Sequence, residues 1–293
     1  MMATVSLNEG PGMFTHALVA TDLGPCSQGI IACAGQLGVL GVRDAVLVYA
    51  IDLNREPSPT DEATFLRQVE SLEAAGIRVH VETPLGYPPH AIVALAEQHG
   101  VDVIVMGTRG RGLFQTGFSG SISSDVVRLS PVPVLLAPQS HISDAQTGEA
   151  ACARMLSSVL VPLDVFESTD RLCSLTCELA TRGIERLELM YVTPFTFETA
   201  RERREEQAAE RLETIAARTR ESGVRDVVTS VVRGTVLEVL PERVASGDYT
   251  LVVLAPGAHD MVDREIGSVA SAIIQASPIP MLLTASEQPH AGA

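Results

Sequence analysis

The chain has 293 residues, a formal net charge of −15, 46% hydrophobic residues and only 19% charged ones. That length exceeds what a single core usually fills and predicts two domains, while the composition excludes a disordered polymer. The acidic balance excludes a surface that attracts nucleic acid through its overall field, so any phosphate must be held locally. All 21 basic residues are arginine.

In chain order, MMATVSLNEGPGM (1–13) has neither a basic nor an apolar stretch, so no signal peptide is read there. No apolar run reaches the roughly eighteen residues of a membrane helix, and a cytoplasmic location without membrane association is the expectation. HALVATDLGP (16–25) reads as a strand ending at Asp22, and LVYAID (47–52) as a second strand. Helical patterning over 60–75 and 91–99 alternates with short Val/Leu/Ile strands, the signature of βαβ units with a parallel sheet. The apolar strand VDVIVMG (101–107) runs into a glycine-rich loop, and SPVPVLLAP (130–138) closes the unit. The polar, small-residue stretch 138–154 reads as a linker with a domain boundary near residue 145.

The same unit then recurs. SVLVPLDVFE (158–167) repeats the first strand, with Asp164 142 positions after Asp22. LMYVTP (189–194) repeats the second strand at that offset, while Gly110, Gly120 and Ser121 recur 147 positions on as Gly257, Gly267 and Ser268. SPIPMLLTA (277–285) repeats the closing strand, also at 147. The expected architecture is α/β, two tandem Rossmann-like domains over 13–140 and 154–286, each a five-stranded parallel sheet sandwiched by helices. The apolar closing strands of the two units are expected to pair as an intramolecular pseudo-dimer, since unpaired edges invite aggregation. The charged run 201–211 reads as a solvated helix face.

The loop 107–121 carries the chemistry. In open parallel sheets ligands settle beyond the carboxyl ends of the strands. Glycines there let backbone amides approach phosphate oxygens, and the helix starting near Ser121 aims its unpaired N–H groups at the same place. Asp22 can accept from two sugar hydroxyls, and Arg109 and Arg111 can add charge-assisted bonds. The spacing of Gly107, Gly110 and Gly112 is not the dinucleotide fingerprint, and a Walker A loop requires a lysine the chain lacks. No GxSxG elbow follows a strand. The seven histidines are scattered and no metal site is read from them. The five cysteines show no CxxC spacing and are expected to be buried, reduced thiols.

Gly107-x2-Gly110-x9-Gly120-Ser121 after VDVIVMG, together with Asp22, LVYAID and the closing strand, resembles the nucleotide loop of universal stress proteins. The resemblance runs nearly the whole chain twice and implies a tandem member of that family. It implies a stress-response regulatory role rather than catalysis, with at most slow ATP hydrolysis. It implies an adenine nucleotide bound by Asp22, Ala50, Gly107, Arg109, Gly110, Gly120, Ser121 and Ile122. ATP is the expected ligand, with ADP or AMP as alternatives and Mg2+ as a candidate companion, and two chains are expected to form a homodimer. A nucleotide-independent interaction scaffold is the competing reading. The second unit keeps Asp164, Val192, Gly257, Gly267, Ser268 and Val269, but counting 147 positions places Leu254 at Gly107. With Asp260, Asp263 and Glu265 in its loop, that second site is expected to be weak or empty.

Overall fold

The computed structural model describes residues 14–24, 26–51, 58–108, 121–138, 142, 144–167, 169–193, 198–256 and 267–285, with only the backbone of 121 and 198–201. The first half runs β1 (His16–Ala20), α1 (Ser27–Gly35), a 3-10 turn (Gln36–Leu40), β2 (Asp44–Val48), α2 (Pro59–Ala74), β3 (Arg78–Glu82), α3 (Pro88–His99), β4 (Val103–Gly107), α4 (Ser121–Leu129) and β5 (Val134–Ala137). After α5 (Ala145–Ala153) the second half repeats the plan as β6 (Ser158–Pro162), α6 (Asp170–Ala180), β7 (Arg186–Thr193), α7 (Glu198–Glu221), β8 (Asp226–Arg233), α8 (Val236–Ala245), β9 (Leu251–Leu254), α9 (Ser268–Ala276) and β10 (Met281–Leu283).

All ten strands form one sheet in the order β3-β2-β1-β4-β5-β10-β9-β6-β7-β8. Every pairing is parallel except β5 with β10, where Leu135 faces Leu282 across the pseudo-two-fold. The two closing strands therefore cover each other's edges, as expected of an internal pseudo-dimer. Alternate residues of the central strands enter two separate cores. Val19, Leu47 and Val105 face one layer of helices with Leu72, Leu179 and Leu212, and Leu18, Val46 and Ile104 face the other with Ile92, Leu240 and Ile273. Burial on both faces explains why these strands read as unbroken apolar runs. On α7, Ala208, Leu212 and Ala216 lie four apart and are buried, and charged residues cover its solvated side. Among the described residues no helix is long and apolar enough to cross a membrane.

One expectation fails near residue 145. The polar stretch between the halves contains α5, started by a capping box in which Asp144 and Thr147 exchange bonds. This helix lies against α1 with backbone almost touching backbone. A Cβ on Gly148 would fall on the Gly29 carbonyl group, 2.7 Å from its carbon, and one on Gly29 would come 2.9 Å from the Asp144 carbonyl oxygen. One turn beyond each glycine stands a cysteine, and Cys33 and Cys152 form a disulfide with Cα atoms 5.1 Å apart. The two thiols expected to stay reduced are bonded because G-x3-C recurs on both helices and the glycines bring them close enough. Cys26, Cys173 and Cys177 are free.

Candidate functional site

The first half reverses its winding between β1 and β4, so a crevice opens between their carboxyl ends. Pairing of β1 with β2 ends at Ala20 opposite Val48, and two further residues set Asp22 beside Ala50. Pairing of β1 with β4 places Val19 opposite Val105, so Gly107 ends β4 level with Thr21. Asp22, Ala50 and Gly107 thus occupy three adjacent strand ends.

The turn after β1 is built around Asp22. The Thr21 amide donates to the Val48 carbonyl at 2.9 Å, keeping the chain in the sheet until the turn begins. Leu23 has φ of 54°, the one positive non-glycine φ among the described residues, held there by a side chain that is 2% exposed. Such a conformation costs a leucine about 1–2 kcal/mol, and strain of this kind collects at functional turns. The Gly24 amide then donates to Asp22 Oδ1 at 2.8 Å. A Cβ at Gly24 would lie 2.8 Å from both carboxylate oxygens, so any larger residue there would have to shift the Asp22 carboxylate from this position. Below, Gln68 of α2 donates to Ser27 Oγ, which donates to the Gly24 carbonyl, locking the turn to the fold.

α4 approaches the same edge with its N-terminus. Ser123 Oγ donates to the Thr108 carbonyl at 3.1 Å, and Tyr87 donates to Asp125 at 2.7 Å, fixing the first two turns against the end of β4 and the start of α3. Ser121 is the first residue of α4, and Ile122 packs its side chain into the core below. Arg109, Gly110 and Gly120 lie outside the described residues, as does Arg111. The described members therefore form a floor in which an oriented carboxylate and a side-chain-free strand end flank one crevice. This arrangement can accept from hydroxyl donors and admit a ligand close to backbone.

The second half copies the turn but not its residues. Asp164 Oδ1 accepts from the Phe166 amide at 3.0 Å, and the Leu163 amide donates to the Met190 carbonyl, repeating both bonds of the first half at the 142-residue offset. Phenylalanine, however, stands where the first half has Gly24. Its ring lies between the guanidiniums of Arg204 and Arg211, 4.2 and 4.7 Å from its centroid, and meets the Tyr191 ring at 5.5 Å. Arg204 also donates to the Tyr191 hydroxyl, and Arg211 to the Val165 carbonyl. β7 and β8 stay paired to Thr193 and Arg233, so Val192 is buried in the strand where Ala50 stands beyond one. Gly267 caps α9 and its amide donates to the Pro256 carbonyl, Ser268 is exposed, Val269 packs inward, and Gly257 lies outside the described residues.

Strand pairing corrects one correspondence. Ile104 donates to the Pro133 carbonyl as Val252 donates to Pro280, and Asp102 donates to His16 as Thr250 donates to Ser158. β4 and β9 are therefore related by 148 positions, not 147. The residue at the place of Gly107 is Ala255, while Leu254 matches Met106 and is buried. Sequence counting put a leucine in the crevice because the extra residue between Gly247 and Thr250 is balanced by a shorter loop after β9. What distinguishes the second-half turn is Phe166, packed toward Tyr191 of β7 and the arginines of α7, a feature with no motif behind it.

Two clusters escape a reading by motif. His80 and His99 meet at Glu82, so these two histidines are not isolated. In the second half Glu188, 1% exposed, accepts from Ser230 at 2.7 Å, Arg243 at 2.8 Å and Tyr249 at 2.7 Å. Burial pushes its carboxyl up, but these three donors outweigh burial and hold it below the usual carboxylate range. Burial and the bond to Glu188 push the Tyr249 hydroxyl up to about 12. The one signal for this network was an acid inside the apolar strand LELMYV.

The family model described as the universal stress protein family matches residues 13–138 and 155–285. Over 105 residues the chain is 29% identical to universal stress protein MJ0577 of Methanocaldococcus jannaschii, covering 36% of this chain and 65% of that protein. Over 121 residues it is 34% identical to universal stress protein Slr1230 of Synechocystis, covering 41% and 42%. The aligned segments span less than two thirds of either relative. A crystal structure of a universal stress protein from Archaeoglobus fulgidus superposes with a TM-score of 0.69 over 94% of this chain and 97% of that one, at 22% identity, a likeness of fold. With two segments that match the family model and together span most of its length, the chain belongs to the universal stress protein family.

Proposed function

We propose that the protein is a stress-response regulator that binds one adenine nucleotide, ATP with Mg2+, in its first half and uses occupancy to change conformation or the association of chains. The observation that carries this reading is the placement of Asp22, Ala50 and Gly107 on three neighbouring strand ends at the point where the winding reverses. Asp22 accepts from the ribose hydroxyls, the backbone at Ala50 meets the base, and Gly107 lets the sugar approach. Gly110, Gly120, Ser121 and Ile122 supply amides to the phosphates at the start of α4, with Arg109 beside them. In this reading the nucleotide is a signal, and its hydrolysis is at most slow. The second half serves as structural partner, with Phe166, packed against two arginines of α7, where the first half has Gly24. Two such chains associate through surfaces outside the already paired closing strands.

Calorimetric titration of nucleotide-free protein with Mg-ATP tests this. Saturation near one site per chain, with affinity falling roughly tenfold or more in Asp22→Ala, is expected for loss of a ribose-binding carboxylate. Asp164→Ala removes the same turn from the second half and should leave the titration unchanged. Gly120→Glu should abolish binding. Absence of saturable heat would favour the nucleotide-independent scaffold, and equal losses in Asp22→Ala and Asp164→Ala would refute the assignment to the first half.

A further inference from the structure

β3 is an outer strand of the sheet, and its residues alternate between two faces. Val79 packs toward the core containing α2, which turns His80 and Glu82 to the opposite side, where the last turn of α3 carries His99. Nε2 of His80 and Nε2 of His99 each lie 3.1 Å from the same oxygen, Glu82 Oε1, and the two rings are 5.1 Å apart between centroids. One ligand atom from each of the three residues lies within 4.8 Å of the others. We propose that His80, Glu82 and His99 form a binding site for one divalent transition-metal ion of the zinc class.

The geometry suits that ion. A tetrahedral zinc ion with bonds of 2.0–2.1 Å sets its ligand atoms about 3.3 Å apart, a few tenths of an ångström wider than the two 3.1 Å edges present. Two imidazole nitrogens and one carboxylate are donors for zinc, copper or nickel rather than for magnesium or calcium, which prefer oxygen. His99 and Glu82 have side chains 20% and 30% exposed, whereas His80 is 62% exposed, so the ion enters from the His80 side and keeps a position for water. A net charge of −15 favours cations at the surface generally.

The second half shows what the ion would do. In β8, Val228 and Ser230 hold the register positions of His80 and Glu82, so that half has no such ligands. It ties its crossing helix α8 to the sheet instead through Arg243 and Glu188. In the first half Glu188 is matched by the buried Val46, and the bound ion would replace that permanent ion pair in pinning the outer strand to α3.

The full chain, stripped with EDTA and free of nucleotide, is titrated with Zn2+ alone by calorimetry, with melting followed in parallel. One ion per chain is expected, together with a higher melting temperature. His80→Ala and Glu82→Gln should each weaken binding about tenfold or more and lose the melting shift. His80→Ala should melt like the parent in EDTA, because its side chain is mostly in solvent. Cys177→Ser, which breaks the thiol pair four residues apart on α6, should bind as the parent does. No saturable binding by the parent, or binding that His80→Ala and Glu82→Gln leave intact, would overturn the proposal.

Discussion

Replacing Gly148 by alanine sets two physical effects against each other. Inside an exposed helix the change stabilises by about 1 kcal/mol, because glycine gives up more backbone freedom on folding. Here, however, the new methyl would fall on the Gly29 carbonyl group, 2.7 Å from its carbon and 3.0 Å from its Cα. Both neighbours are backbone, so no rotamer change relieves the clash, and α5 must back away from α1. Overpacking of this kind costs about 1–3 kcal/mol, and retreat of α5 also draws Cys152 from Cys33 and opens the small core formed by Ile30, Ala137 and Ile142. The balance is a net loss of up to about 2 kcal/mol, which lowers the melting temperature by at most about 4–8 °C for a protein of this size. Thermal melting followed by circular dichroism measures it, with Gly38→Ala as control because no heavy atom would lie within 4 Å of its added Cβ. A Gly148→Ala protein that melts above the parent would refute the close crossing of α1 and α5.

The disulfide closes a loop between residues 119 apart, and such a constraint stabilises by about 4–5 kcal/mol in the chain-entropy account. The unfolded, unreduced protein should show three free thiols, rising to five after reduction, with reduction or Cys33→Ala lowering the melting temperature by several degrees; five thiols before reduction would disprove the bond. Glu188→Ala should cost about 1–3 kcal/mol, because it leaves the Tyr249 and Ser230 hydroxyls without their acceptor while Arg243, 40% exposed, can turn to water, and a loss below about 1 kcal/mol by denaturant titration would show the network contributes little. Since the folded carboxyl of Glu188 is lowered, its contribution is present above the unfolded value near 4.5 and disappears as pH falls through the lower folded value. Parent and Glu188→Gln stabilities should therefore converge in acid; a gap that persists would contradict that direction. On the alkaline side Tyr249, raised to about 12, should ionise later than an ordinary tyrosine, and folding loses its contribution as pH rises from 10 toward 12. Absorbance at alkaline pH, compared with Tyr249→Phe, checks this.

Most of the fold was readable because duplication and burial leave strong marks. Strands covered on both faces are continuous apolar runs, and two copies of one run at a fixed spacing signal a repeat. Asp22 and Gly107 were legible for the same reason, since a strand end is where an acid and a glycine stop an apolar run. Counting along the chain failed at β9, where one inserted residue shifted the correspondence by a single place and exchanged the core residue Leu254 for the strand-end residue Ala255. Hydrogen-bond register detects such a shift, and composition does not. The α1–α5 crossing left a fainter trace, two G-x3-C segments over a hundred residues apart, each unremarked by itself.

The two halves share a scaffold but differ in which polar groups each strand end and helix crossing retains. The first keeps glycine under its acid, a short second strand and a glycine at the end of β4. In the second, Phe166 replaces that glycine, the strand pair extends to Thr193, and three donors converge on a buried Glu188. The aromatic ring packs toward β7 and α7, while the Glu188 network ties α8 of the opposite helix layer to the sheet. The half with the glycine turn is joined to the other through β5 and β10. Under the proposed reading, a nucleotide at the first-half strand ends has one continuous sheet as the reference against which α4 and the β1 turn can move.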